Sequence, residues 1–151
     1  MIDQATIQSL REDVLAIAQD AAASILEVYE RDFEVMRKGD ASPVTDADLA
    51  AHHGIVAGLS RLTPDIPVLS EESAHTVALD ARSRWSRLWL VDPLDGTREF
   101  IKRNGEFTVN IALIDHGVSV FGVIQAPVTG VLWDGAPGHG AFRRDADGER
   151  A

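Results

Sequence analysis

The sequence predicts a layered α+β fold: two long helices, then an antiparallel meander of strands. Three observations predict it. Apolar residues recur at helical spacing from Ile7 to Tyr29. A second helical pattern opens at Thr45 and stops before Pro64. From Phe107 onward the apolar period changes to two, the period of a strand.

The first helix carries Ile7, Leu10, Val14, Ile17, Ala18, Ala21, Ile25 and Tyr29 on one stripe. A short strand is expected over Phe33 to Arg37. Lys38-Gly39-Asp40-Ala41-Ser42-Pro43 has loop composition. Thr45 is placed to cap the second helix, with Asp48 three residues on as in a capping box. That helix should bury Ala47, Ala51, Ile55, Gly58 and Leu62. Pro67-Val68-Leu69 reads as a short buried strand that delivers Ser70-Glu71-Glu72-Ser73. Residues 74 to 87 are polar and poorly patterned, a loop with some helix. Leu88-Trp89-Leu90-Val91 is a second buried strand and delivers Asp92.

Phe107, Val109, Ile111 and Leu113 alternate on one strand face. Asp115-His116-Gly117 turns the chain, and Val118 to Ala126 runs back. Ile114, Phe121 and Val123 lie on the reverse face, so both faces of the sheet are expected to be covered. Val131-Leu132-Trp133 and Gly140-Ala141-Phe142 read as further short strands. Residues 1–142 form one domain on this reading. Residues 143–151 are a polar tail without pattern. There is no internal repeat.

A chain of 151 residues, 45% hydrophobic, is long enough for a real core. Its formal net charge of -10 argues against binding a nucleic-acid polymer, which needs clustered Lys and Arg. Small phosphates are compatible if cations sit between them and the protein's carboxylates. With no cysteine, disulfides, thiolate-zinc sites and thiol catalysis are excluded. The first residues lack a basic and then apolar leader, and no apolar run approaches the ~20 residues of a membrane span. The expectation is a cytoplasmic protein, with peripheral association at the inner membrane compatible with it.

Asp48, Glu71, Asp92 and Asp95 carry the candidate chemistry. Each lies where an apolar element ends, which is where sites are commonly built. Carboxylates gathered there repel unless cations hold them together. Oxygen ligands without His or Cys suit a hard cation such as Mg²⁺. The Asp92-Pro93-Leu94-Asp95-Gly96-Thr97 segment reads as a tight turn. Pro93 stiffens it, and the Leu94 carbonyl can point inward. Gly96 allows close approach of a phosphate, and Thr97 caps a short helix. Each feature also has a plain structural reading. Asp48 is the acid of a capping box, Glu71 and Glu72 are a solvated pair, and Asp95-Gly96 is a common turn dipeptide. The string also approaches the Asp-x-Asp-x-Thr nucleophile loop of aspartyl-phosphate phosphatases, but two residues separate its acids where that loop has one.

Leu90-Val91-Asp92-Pro93-Leu94-Asp95-Gly96-Thr97 resembles the signature of the inositol-monophosphatase superfamily. Ser42-Pro43-Val44-Thr45-Asp46-Ala47-Asp48 and Leu69-Ser70-Glu71-Glu72 resemble its two upstream motifs, in the same order. The run from Arg98 to Ile114 is similar to the CysQ-type 3'(2'),5'-bisphosphate nucleotidase branch. The resemblance extends from the first helix to Phe142. It implies the layered α/β sandwich of inositol and sugar phosphatases, of which this chain is the N-terminal half.

The resemblance also implies roles. Glu71, Asp92 and the Leu94 carbonyl would hold one Mg²⁺, and Asp92 and Asp95 would share a second. Glu71 would touch a third, weaker ion. Asp48 and Thr97 would orient and deprotonate the attacking water. Substrate would meet Glu71, Leu94, Asp95, Gly96 and Thr97, with Lys38 reaching the phosphate. The reaction implied is in-line hydrolysis of the 3'-phosphate of adenosine 3',5'-bisphosphate between metals ~3.5–4 Å apart. The sulfated nucleotide is a second substrate. In the family a later Trp-Asp motif completes the second metal site. Trp133-Asp134 looks like that motif but comes too soon after Asp95, so Asp134 is read as part of a strand and turn. The five histidines have no metal-ligand spacing, and Trp85 and Trp89 read as packing residues. A chain of this extent is therefore either the enzyme's metal-binding half or an incomplete fragment. Such a fragment would bind metal or phosphate, or self-associate through the surface that the other half would cover. An inositol-phosphatase activity is the remaining alternative.

Overall fold

Asp3 accepts a hydrogen bond from the Thr6 N–H at 2.8 Å and caps α1, Gln4–Tyr29. These are details of a computed structural model that describes residues 1–37 and 43–151. The apolar stripe of α1 buries Ile7, Val14, Leu15, Ala18, Ala21, Ala22, Ile25 and Val28. It packs on α2, Asp46–Leu62, which buries Ala47, Asp48, Ala51, Ile55, Gly58 and Leu59. Gly58 sets the helix separation, because a Cβ there would lie 2.9 Å from Ile17 Cγ1. Leu59, rather than the expected Leu62, fills the last core position, and Leu62 is half-buried near the helix end.

Between the helices, β1 (Val35–Arg37) pairs antiparallel with β2 (Pro43–Thr45). The segment expected to be loop through Pro43 thus ends in a strand; residues 38–42 of it lie outside the described residues.

Among the described residues a seven-stranded sheet follows in simple chain order. Its strands are β3 (Val68–Ser70), β4 (Arg87–Asp95), β5 (Thr108–Asp115), β6 (Val118–Gln125), β7 (Leu132–Ala136), β8 (Gly140–Asp145) and β9 (Gly148–Arg150). Pairing is antiparallel from β4 onward, but β3 runs parallel to β4, so the sheet is mixed. Two short helices connect the strands: α3 (Leu79–Arg82) and α4 (Thr97–Ile101). The β5–β6 hairpin closes through His116 and Gly117, both at positive φ, as a twisted two-residue turn requires.

Two expectations are corrected here. Residues 143–151 are not an unpatterned tail: β8 continues to Asp145 and returns as β9. Their exposure on an edge explains why apolar alternation does not mark them. Second, among the described residues only one sheet face is covered. Trp89, Val91, Val109, Ile111, Leu113 and Val123 pack on α1 and α2 in one cluster. On the opposite face Leu90, Ile124 and Trp133 are 47%, 45% and 42% exposed and line a broad hollow of about 620 Å³. Both long helices lie on the same side, so the period-2 alternation leaves these side chains without cover. Among the described residues no helix is long and apolar enough to cross a membrane.

Candidate active site

Parallel pairing brings the first two acids together. Ser70 lies opposite Val91, and the Glu71 N–H donates to the Val91 carbonyl at 3.0 Å. The next residue of each chain segment, Glu71 and Asp92, therefore emerges at the same edge. Burial pushes the Asp92 carboxyl up to about 8, and its hydrogen bond with Glu71 and the charges of Glu71 and Asp95 push the same way. Two carboxyls held this closely share a proton or share a cation.

The expected tight turn after Val91 is instead a bulged continuation of β4. Asp92 pairs with Asn110 and Asp95 with Thr108, so two residues of β4, Pro93 and Leu94, stand against one of β5, Val109, and the bulge adds one residue. Pro93 is tolerated because β3 has already ended and no neighbour there asks for its missing N–H. The bulge turns Asp95 back toward the same edge as Asp92. The Asn110 amide donates to Asp95 Oδ2 at 3.0 Å, and the Thr108 hydroxyl donates to Asn110 Oδ1 at 2.9 Å.

Gly96 then takes φ +96°, and a Cβ there would sit 3.0 Å from the Glu106 carbonyl oxygen. Conformation and space both demand glycine. Gly96, not Thr97, is the cap residue of α4, which frees the Thr97 hydroxyl for another partner. That hydroxyl donates to Asp48 Oδ1 at 2.8 Å and lies 3.4 Å from the Leu94 carbonyl oxygen. Asp48 is fully buried, and its other oxygen, Oδ2, accepts from the Thr45 N–H at 2.9 Å and the Thr45 hydroxyl at 2.7 Å. The capping-box reading of Asp48 is met through Oδ2, and Oδ1 is taken by Thr97.

Glu71, Asp92, Leu94, Asp95, Gly96 and Thr97 line one hollow of about 270 Å³, joined by Arg98 and Glu99. Of the residues expected at the site, the fold brings all but two to this hollow. Asp48 stands behind it through Thr97, and Lys38 lies outside the described residues. The hollow suits a hard cation. Among the described residues Asp92 Oδ1 is buried without a protein partner, burial and then its acidic neighbours push its carboxyl up, and every donor is oxygen. Among the described residues no three His, Asp or Glu side chains form a complete cage.

Asp134 is elsewhere. Arg11 of α1 grips it with two hydrogen bonds, Nε to Oδ2 at 2.6 Å and Nη2 to Oδ1 at 2.9 Å. Trp133-Asp134, expected in a strand and turn, lies within strand β7, Leu132–Ala136. Sequence reasoning missed Thr108 and Asn110, since polar residues on an alternating strand look like its solvent face. It also missed His52, whose Nδ1 lies 2.8 Å from the buried Ser70 hydroxyl, next to Glu71. Only the spacing of four between Asp48 and His52, one helical turn, hinted that His52 faces the same way. Trp89 is a packing residue as expected, wholly buried, with its indole N–H donated to Thr63 at 2.8 Å.

Residues 7–150 match the model of the Inositol monophosphatase family. The chain belongs to that family. A protein of Escherichia coli O6:H1 named 3'(2'),5'-bisphosphate nucleotidase CysQ is 55% identical over 129 residues, 84% of this chain and 52% of the relative. The protein of the same name from Salmonella typhimurium is 57% identical over the same lengths. Among solved structures, CysQ from Bacteroides thetaiotaomicron superposes with a TM-score of 0.79 at 46% identity, over 92% of this chain and 50% of that one. The suppressor protein SuhB from Bartonella henselae gives 0.80 at 32% identity, over 91% and 52%. The fold is the α+β fold of this family. The chain spans about half the length of the curated relatives it matches.

Proposed function

We propose that this chain carries the metal-binding and water-activating part of a magnesium-dependent phosphatase that removes the 3'-phosphate of adenosine 3',5'-bisphosphate, giving AMP and phosphate. The sulfated nucleotide is a second substrate on this reading. The observation that carries the chemistry is the junction of two groups at one hollow. The acids Glu71, Asp92 and Asp95 meet there, and the buried Asp48–Thr97 pair opens onto it. The nucleotide preference rests on the relatives that bear the bisphosphate-nucleotidase name.

Glu71, Asp92, Asp95 and the Leu94 carbonyl are the groups that would hold magnesium, two or three ions in all. When bound, the metal supplies positive charge that stabilises the attacking and leaving oxygens of the displacement. Thr97 orients the attacking water through its oxygen lone pairs, because its proton is committed to Asp48 Oδ1. Asp48 receives the proton by way of Thr97, and Thr45 holds it in place from the other side. Gly96 and the backbone from Leu94 to Thr97, which line the hollow, receive the phosphate. Lys38 is proposed to reach the same phosphate. The setting is cytoplasmic on this reading. Self-association through the open sheet face follows from the exposed Leu90, Ile124 and Trp133. A particle size in light scattering that does not change with concentration would remove that element.

Phosphate release tests the proposal. The chain is assayed alone and joined to the complementary half of the 55%-identical relative. Release from adenosine 3',5'-bisphosphate that requires Mg²⁺ and exceeds release from inositol phosphate is expected. A preference for inositol phosphate overturns the substrate, and release without divalent cation overturns the mechanism.

A further inference from the structure

We propose that Asn110, fixed by Thr108, is the positioning residue that orients the Asp95 carboxylate toward the cation. The inference rests on the magnesium reading above and adds two residues to it. Asp95 is exposed, so packing alone does not set its side-chain angle. A swinging carboxylate is a poor ligand, because each binding event must first restrict it. Asn110 removes that freedom. Its Nδ2 donates to Asp95 Oδ2 at 3.0 Å, where Asp95 lines the hollow.

The amide cannot be turned round. An ionised carboxylate only accepts, so the nitrogen must face Asp95 and the oxygen must face Thr108. The Thr108 hydroxyl, at 2.9 Å, supplies the proton that Asn110 Oδ1 requires. Register makes this chain of contacts possible. Asn110 lies directly opposite Asp92 and Thr108 directly opposite Asp95, across the bulge that holds Pro93 and Leu94. Two residues of β5 thus clamp a four-residue excursion of β4. Groups that orient a ligating carboxylate typically change metal affinity 10- to 100-fold when removed.

The test is calorimetric Mg²⁺ titration of the full chain, with thermal melting in chelator as a control for the fold. Asn110→Ala is expected to weaken Mg²⁺ binding by about 10-fold or more, with the chelator melt little changed. Thr108→Val should weaken it in the same direction, and Thr108→Ser should restore it by returning the hydroxyl. In the Thr108→Val, Asn110→Ala double variant the loss should be no greater than for Asn110→Ala alone, since Thr108 acts only through the amide. Parental affinity in Asn110→Ala, or additive losses in the double variant, overturns the positioning role and leaves the phosphatase reading standing. If Asn110→Ala does not fold, the Thr108 pair of variants decides. A parent chain that binds no Mg²⁺ overturns both.

Discussion

Asp134 sits in a string that imitates a metal-ligand motif, and Arg11 decides its role. The carboxylate is 2% exposed and the guanidinium 13%. Both of its oxygens are used by Arg11, in the planar two-point geometry that favours strong pairs. Arg11→Met keeps the apolar stem and removes the charge. It leaves Asp134 buried and unpaired, which costs about 3–5 kcal/mol. In the same change Arg11 loses its bond to the more exposed Glu149 and its place 4.6 Å over the Phe142 ring. Surface ion pairs and exposed cation–π contacts add about 1 kcal/mol or less each. For a chain of this size the loss of the buried pair alone corresponds to a fall in Tm of about 6–20 °C. Adding Asp134→Leu removes the stranded charge and should recover most of that loss, since buried pairs exchanged for apolar residues are often neutral. Urea unfolding followed by circular dichroism measures both. Asp134→Asn should lower stability without changing the stabilisation that Mg²⁺ adds. A loss below about 1 kcal/mol in Arg11→Met refutes the buried-pair account. Loss of the Mg²⁺ effect in Asp134→Asn would falsify its exclusion from the metal site.

Other outcomes follow from the same contacts. Thr97→Val strands Asp48 Oδ1 and should cost about 1.5–3 kcal/mol in urea unfolding, while Thr97→Ser should be nearly neutral. With the chain joined to the complementary half of the relative, Thr97→Val should lower kcat by about 10²–10⁴-fold; an unchanged kcat sinks the water-activating role. Gly96→Ala forces a Cβ against the Glu106 carbonyl at positive φ and should cost about 1–3 kcal/mol; parental stability would show that the loop relaxes freely. Burial, then the neighbouring His53, lowers the His52 imidazole below its usual 6.5. Below pH 6.5 the unfolded chain gains a proton that folded His52 resists, so stability should decline as pH falls through 6.5. His52→Gln should flatten that decline relative to the parent, and identical pH profiles would remove His52 from the account.

The acids were legible before the fold because their spacing is local. Asp48 stands three residues past a cap, and Asp92 and Asp95 flank a proline and precede a glycine. The helices and the β5–β6 hairpin were legible for the same reason, since hydrophobic period and turn chemistry act over a few residues. The tail was misread because β9 is the edge strand and β8 lies next to it, and their largely exposed side chains carry no alternation of polarity. The cover on the sheet was misread because alternation says that a strand has two faces, not that both have partners.

The order of residues alone marked the acids Asp48, Glu71, Asp92 and Asp95 and the segments of chain that carry them. Only the tertiary structure decided what each oxygen does. Parallel pairing of β3 with β4 placed Glu71 beside Asp92, and a bulge rather than a turn aimed Asp95. Asp48 was divided between its cap and Thr97, and Asp134 was claimed by a residue far back on α1. Each of these depends on groups distant in sequence meeting at hydrogen-bond range. Side-chain periodicity carries no information about distance across the fold, so packing alone could settle them.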